Sequence, residues 1–190
     1  MKVSIAHAAV VLGLSVGLSA SSRGDVPELS LEVEHLLTSM DSMPTLAQLE
    51  QTLTGDAEQQ LLDIATTYHQ WDVRVRAVRA LGLFPPSQRV RDALKGLMLQ
   101  TSAVHDGPMV FLVIAAAETL GALRNEGDVG PVATLLNDPS RDVRISAARA
   151  LRSIGGASSV DALRARQNAE NVPSVRLAIS EAIQAIGESR

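Results

Sequence analysis

Residues 135–155 read Leu135-Leu-Asn-Asp-Pro-Ser-Arg-Asp-Val-Arg-Ile-Ser-Ala-Ala-Arg-Ala-Leu-Arg-Ser-Ile-Gly155. The Asn-Asp-Pro-Ser run at 137–140 ends one helix, and Gly155 ends the next one. Between these two breaks, apolar residues recur at three- and four-residue spacing, as expected for one face of an α-helix. They are Val143, Ala147, Ala150, Leu151 and Ile154. The stretch therefore predicts the second helix of a helix–turn–helix unit.

The same pattern recurs along the chain. Residues 72–82 and 174–184 align without gaps on residues 142–152, and residues 112–121 align with Val113 in place of the repeated Arg. The matching apolar positions are separated by 39, 31 and 32 residues and are Leu81, Leu120, Leu151 and Ile183. Because one hairpin cannot bury its own apolar face, such units must stack on their neighbours. The spacing predicts an array with an insertion between its first two aligned units.

The helix signals outside these segments complete an all-α chain. Residues 27–55 predict an irregular capping hairpin, with Thr45 and Gln48 in a capping box. Residues 56–190 predict the repeat array, in which Asp56 and Asp128 each cap a first helix. The nearly uncharged segment 109–123 predicts the most buried helix. We therefore expect an α-solenoid of about five helical hairpins, with ten helices and no strands.

The N-terminus has the features of a secretory signal peptide. Lys2 is followed by a mostly apolar run over residues 3–18 and by the small-x-small pattern Ser19-Ala-Ser21. The alternative is an uncleaved membrane anchor, for which the run has about the minimum length. We expect a signal peptide at residues 1–21, a linker at 22–26 and an exported, periplasmic or extracellular protein.

Composition excludes several classes of function. The chain has 190 residues, of which 46% are hydrophobic, and zero Cys, which excludes a disulfide scaffold, a thiol enzyme and a cysteine zinc site. The aliphatic content excludes disorder, and the single long apolar run excludes a multi-pass membrane protein. The net charge of −4 comes without a basic stripe, which argues against nucleic acid as a partner.

The repeat pattern resembles the HEAT-like family in its short form, over about residues 56–187. The resemblance implies an armadillo-type superhelix that serves as an interaction module. Some members of this repeat class are phycobilin lyases and most are binding scaffolds, so the resemblance implies a shape without an activity. Two departures from the family pattern are Val113 and the long first spacing.

Polar residues recur at fixed positions of the repeat, namely Asp72, Arg74, Asp142, Arg144 and Arg176. Their recurrence in register favours a structural ladder over an anion-binding row of Arg. In such a ladder the Asp caps the second helix, and the Arg reaches a neighbouring turn or acid. Val113 then marks a weak joint, and residues 164–170 are interpreted as a solvated charged face.

Candidate binding residues crowd two successive turns. Tyr68, His69 and Trp71 lie in one turn, and His105 and Asp106 lie in the next. Because adjacent turns of a solenoid stack along one edge, these groups could meet. We predict that Tyr68, Trp71, His105 and Asp106 contact a partner, since such aromatic residues are favoured in interfaces. The alternatives are a surface turn, packing of Trp71 on its own repeat, and a His-based metal or catalytic site.

These features favour a non-enzymatic protein–protein interaction scaffold whose partner is another protein. No catalytic residue, metal site or cofactor is expected, and no membrane contact after signal cleavage. Two alternatives stay open: a lyase-like enzyme or maturation factor of the repeat class, and an accessory subunit of an envelope complex. In the last case the helix at 109–123 would be an exposed apolar interface.

Overall fold

The computed structural model describes residues 29–38, 43–101 and 107–188. Across these ranges the chain forms ten α-helices without a strand, which confirms the expected all-α solenoid. Two short 3-10 helices, Glu126–Asp128 and Leu135–Asn137, flank α7. The α-helices are α1 Leu31–Thr38, α2 Leu46–Thr52, α3 Ala57–Thr67, α4 Trp71–Leu81, α5 Gln88–Thr101, α6 Met109–Leu123, α7 Val129–Thr134, α8 Arg141–Ile154, α9 Gly156–Gln167 and α10 Pro173–Glu188. The predicted signal peptide (1–21) and linker (22–26) lie outside the described residues.

The helices form two layers. The second helices of the units, α4, α6, α8 and α10, pack side by side in chain order. Each first helix (α3, α5, α7 and α9) packs on its own second helix. Every second helix therefore has its inner side in the core, and its outer side is left for solvent or a partner. Within these same ranges no helix combines the length and the apolar character needed to cross a membrane.

Helix α6 is the buried centre of the array, as its uncharged sequence predicts. It contacts α4 on one side, where the Thr119 hydroxyl donates to the Val78 carbonyl at 3.2 Å. On the other side Gly121 meets α8 so closely that a Cβ there would lie 2.8 Å from the Cα of Ala150. Val113 is also buried. Apolar packing thus takes the place of the repeated Arg contact at this position, and the weak joint at Val113 stays a prediction.

Local capping chemistry explains some helix starts. The Thr45 hydroxyl accepts from the backbone N–H of Gln48, whose side chain accepts from Thr45 in return, so the capping box is confirmed. The Asp56 carboxylate accepts from the N–H of Gln59, as expected. Asp128 does stand at the start of α7, but its side chain makes no cap hydrogen bond. It is fully buried and faces α5 instead.

The caps expected from Asp72 and Asp142 are wrong. Helices α4 and α8 begin two residues earlier than that prediction requires, after Gln70 and Ser140, and neither N-cap makes a side-chain hydrogen bond. Both Asp residues lie inside the first turn. A carboxylate in that position still interacts favourably with the positive end of the helix dipole.

The N-terminal pair departs from a regular hairpin. Helix α1 packs against α4, and an open cleft of about 600 Å³ separates it from α2. The cleft is lined by Leu31, His35 and Gln48, among others. The pair therefore covers the end of the array through α1, as an atypical terminal unit should.

Candidate interaction surface

Two exposed aromatic rings stack at the start of the second helices. Trp71 is the first residue of α4, and Phe111 lies in the first turn of α6. Their ring centroids are 5.5 Å apart, and the ring planes differ by 24°. Trp71 is 43% exposed and Phe111 is 51% exposed. Half of the four aromatic residues of the chain thus form one exposed pair, and large apolar rings in such positions are typical of interaction sites.

Tyr68 is buried in the turn that precedes Trp71. It is only 6% exposed, and its ring contacts that of His69 with the centroids 4.4 Å apart. Burial raises the pKa of the Tyr68 hydroxyl, and the nearby carboxylates of Glu34 and Asp72 raise it further. Tyr68 therefore fixes the turn that precedes Trp71 and offers little ring surface to a partner. The other two predicted partner-binding residues, His105 and Asp106, lie outside the described residues.

Phe111 is the residue that sequence reasoning missed. In the aligned repeats it takes the position of Asp72 and Asp142. Both of those residues are exposed in the first turn of their helices. The register alone therefore placed an aromatic ring at an exposed position next to Trp71, and this signal was available in the sequence.

An apolar row continues from the aromatic pair across the array. Ile114 is one turn after Phe111 on α6, and Ile145 and Leu177 hold its register position on α8 and α10. The two Ile side chains are half-buried, and Leu177 is 59% exposed. We call the surface formed by the outer sides of these helices the second-helix face; its apolar row comprises Trp71, Phe111, Ile114, Ile145 and Leu177.

A row of alternating charge runs beside the apolar row. Its members share one register position on α4, α6, α8 and α10 and are Arg79, Glu118, Arg149 and Glu181. Arg79 and Glu118 lie 3.5 Å apart, with both side chains well exposed. Exposed pairs of this kind contribute little to stability. The alternation of Arg and Glu along the row instead gives the second-helix face a charge pattern that a partner can match.

The repeated Arg residues are engaged within the fold. The Arg74 Nε donates to the Ala65 carbonyl at 2.8 Å, and the Arg176 Nε donates to the Glu170 carbonyl at 3.1 Å. Arg144 donates to two carbonyls of its own turn and to the Glu170 carboxylate of the next unit, at 2.9 Å from its Nε. These contacts satisfy carbonyls at the ends of the first helices, which otherwise lack partners.

Glu170 is the centre of a buried ionic joint between α8 and the α9–α10 turn. It is 2% exposed and accepts hydrogen bonds from Arg144, from Arg166 at 2.8 Å and from the Val172 N–H at 2.8 Å. Burial alone would raise the pKa of this carboxyl, but the Val172 N–H and the two guanidinium groups outweigh it and lower the pKa to about 2. The interpretation of residues 164–170 as a solvated face is wrong at Glu170.

The described part of the chain holds no group of three His, Asp or Glu residues arranged to bind a metal ion. His69 is exposed on the surface beside Tyr68, and His105 lies outside the described residues. The His-based site considered from the sequence therefore stays untested, and the catalytic alternative gains no support from His69.

Residues 112–187, from α6 to α10, match the family model of HEAT repeats. The matched part includes the close contact between α6 and α8 and the ionic joint at Glu170. No curated protein matches the chain.

Proposed function

We propose that this solenoid is an exported, non-enzymatic scaffold that binds another protein on its second-helix face. The observation that carries the proposal is the stacked, exposed pair of Trp71 and Phe111. Aromatic residues dominate the binding energy of protein interfaces, and an exposed stack of two rings offers a large anchor. The HEAT-repeat match at residues 112–187 supports the general role of an interaction module.

The mechanism is rigid presentation. The second helices are locked by close packing at Gly121 and by the buried joint at Glu170, so the apolar row has a fixed shape before a partner arrives. A preorganised surface lowers the entropy that binding must overcome. The neighbouring row of alternating Arg and Glu then selects the partner's register by charge.

Site-specific crosslinking tests the contact directly. With p-benzoylphenylalanine in place of Phe111, we expect illumination of producing cells to give a discrete covalent adduct whose partner can be identified by mass spectrometry. Trp71→Ala in the same chain should reduce the adduct roughly tenfold or more, because loss of an aromatic anchor costs at least about 1.4 kcal/mol.

The matched control places the same photoreactive residue at Leu31, which is 84% exposed and lines the cleft between α1 and α2. It should not capture the same partner. A common adduct from both positions, or an adduct from position 111 that Trp71→Ala leaves unchanged, would argue against this surface. Circular dichroism of each variant checks that the helices are retained.

Export is proposed from the N-terminal sequence alone. Residues 1–21 should be absent from the mature protein, because the run ends in a small-x-small cleavage pattern. The intact mass of the protein recovered from the envelope or medium should correspond to a chain that begins near Ser21 or Ser22. If the protein were instead recovered from a membrane fraction with Met1 still present, the segment would be an anchor.

The alternative of an accessory subunit required the helix at 109–123 to present an exposed apolar interface. Helix α6 is buried between α4 and α8, and most of its apolar side chains are closed to solvent. Phe111 at its start is the exception that contributes to the second-helix face.

A further inference from the structure

A second apolar surface lies in the layer of first helices. A groove of about 620 Å³ opens between the last turns of α5 and the short α7 with the 3-10 helix that follows it. Its apolar walls are Met98, Leu99, Pro131, Leu135 and Pro139. Leu99 is 73% exposed at the rim. The groove is separate from the second-helix face, and the proposed function does not use it.

The groove follows from the geometry of the joint between the second and third units. The second helices of these units, α6 and α8, approach each other as closely as Gly121 allows. The first helix of the third unit is short, since α7 has 6 residues and continues as a 3-10 helix. The layer of first helices is therefore less well filled than the layer of second helices at this joint, and the space between α5 and α7 remains open.

One end of the groove carries a fixed cation. The Lys95 Nζ lines the groove and lies 2.9 Å from an Asp92 oxygen and 3.4 Å from an oxygen of the buried Asp128. The hydrogen bond to Asp92 raises the pKa of Lys95 and, although burial acts in the opposite direction, Asp128 raises it further. The ammonium thus stays protonated and has three N–H donors for two carboxylates. The carboxylates of Asp92 and Asp128 therefore do not need all three donors, and Lys95 can also serve an acceptor inside the groove that it lines.

We propose that this groove binds a small, neutral amphiphile, with an apolar body between α5 and α7 and one carbonyl or hydroxyl oxygen facing Lys95. The volume lies within the range of about 300–1,000 Å³ that is typical of small-molecule sites. A protein partner typically uses about 20–30 residues on each side of an interface, whereas nine described residues line this groove. The charged groups at this end of the groove are the carboxylates of Asp92, Asp128 and Asp138 and the cations Lys95 and Arg91, which lies 3.7 Å from Asp128. Three acids against two cations leave a local charge of −1, so a neutral acceptor is favoured over a carboxylate.

The probe is 6-propionyl-2-dimethylaminonaphthalene, a neutral fluorophore with an apolar ring system and a single carbonyl. Added to the full mature chain, it should show saturable, blue-shifted emission with one site per chain. The carbon-13 methyl signal of Met98, which lines the groove, should shift in parallel, and the signal of Met43 should stay in place. A comparison with the anionic probe 1-anilinonaphthalene-8-sulfonate should show weaker binding at Met98.

A substitution that fills the groove provides the decisive variant. Thr134 lines the groove, is exposed and bonds only to the Pro131 carbonyl of its own helix, so Thr134→Trp should fold and block the site. Affinity for the probe should fall roughly tenfold or more. The matched control is Thr66→Trp on α3, where the hydroxyl also bonds to its own helix. This control should leave the affinity and the Met98 shift unchanged.

Three results with the wild type and Thr134→Trp would overturn the proposal. They are binding that survives Thr134→Trp, a Met98 signal that does not move at saturation, and an affinity equal for the neutral and anionic probes. Binding abolished by the Trp71→Ala/Phe111→Ala double substitution would assign the probe to the aromatic pair and would also overturn it. Because Thr134→Trp leaves the second-helix face intact, the crosslink at position 111 should persist in this variant. The two proposals can therefore fail separately.

Discussion

Glu170→Gln should lower the free energy of unfolding by about 3–5 kcal/mol at neutral pH, the usual cost of breaking a buried ion pair from one side. The Arg144 side chain is 9% exposed and would lose the carboxylate that balances its charge. Arg166 would lose the same partner. The amide of Gln can still accept from the Val172 N–H, but it cannot balance two guanidinium groups. Chemical denaturation of the wild type and the variant at neutral pH measures the difference.

The difference in the free energy of unfolding between the wild type and Glu170→Gln should depend on pH within a defined range. The pKa of the Glu170 carboxyl falls from 4.5, its ordinary value, to about 2 in the folded protein. Because the pKa is lower in the folded than in the unfolded protein, ionisation of Glu170 stabilises the fold. The full contribution is present at pH values above the ordinary pKa, and it is lost as the pH falls toward the pKa of the folded protein. A shift of this size corresponds to about 3 kcal/mol. The stability gap between the wild type and Glu170→Gln should therefore shrink between pH 4.5 and pH 2.

A control on the same unit separates the buried joint from general charge effects. Asp161 is exposed on α9, so Asp161→Asn removes one negative charge from the same unit without changing a buried group. It should change the stability by less than about 0.5 kcal/mol. Similar losses in Asp161→Asn and Glu170→Gln, or a gap that is constant over the acidic range, would show that Glu170 is not the buried centre of the joint.

The sequence predicts the helices well where the signal is local. The spacing of Val143, Ala147 and Leu151 depends on one helix alone, and the capping box of Thr45 and Gln48 spans three residues. Glu170 is different, because its burial depends on Arg144, which lies 26 residues earlier in the chain. No pattern within residues 164–170 reveals that contact. Repeat recurrence likewise indicated a structural role for Arg144 without showing which groups it binds.

The candidate surface could be predicted in part. Trp71 stands at a helix start, and its exposure follows from that position. Tyr68 is three residues away in the same turn, yet its ring is buried, and Glu34 of α1 lies close enough to raise its pKa. Helix α1 belongs to an irregular terminal unit that the repeat pattern does not describe. Phe111 could have been found by comparing register positions. His105 and Asp106 stay predictions.

Gly121→Ala should lower the free energy of unfolding by about 2 kcal/mol, within the range for overpacking a filled interior. The new methyl group would lie 2.8 Å from the Cα of Ala150 and 3.1 Å from the Ala150 carbonyl oxygen. Backbone atoms cannot rotate away as a side chain can, so α6 and α8 must move apart. Stability in a solenoid depends on the contacts between neighbouring units, so the strain weakens the central interface of the array.

The matched variant is Gly96→Ala on α5, where a Cβ would meet nothing within 4 Å. Ala is favoured over Gly inside a helix by about 1 kcal/mol, so this variant should be more stable than the wild type. The same chemical change thus has opposite signs at the two positions, and urea denaturation of the two variants measures both. Because helix propensity favours Ala at both sites, the steric cost at Ala150 is the loss in Gly121→Ala plus the gain in Gly96→Ala. A gain of stability in both variants would mean that α6 and α8 can separate freely, and the rigid second-helix face proposed for partner binding would lose its physical basis.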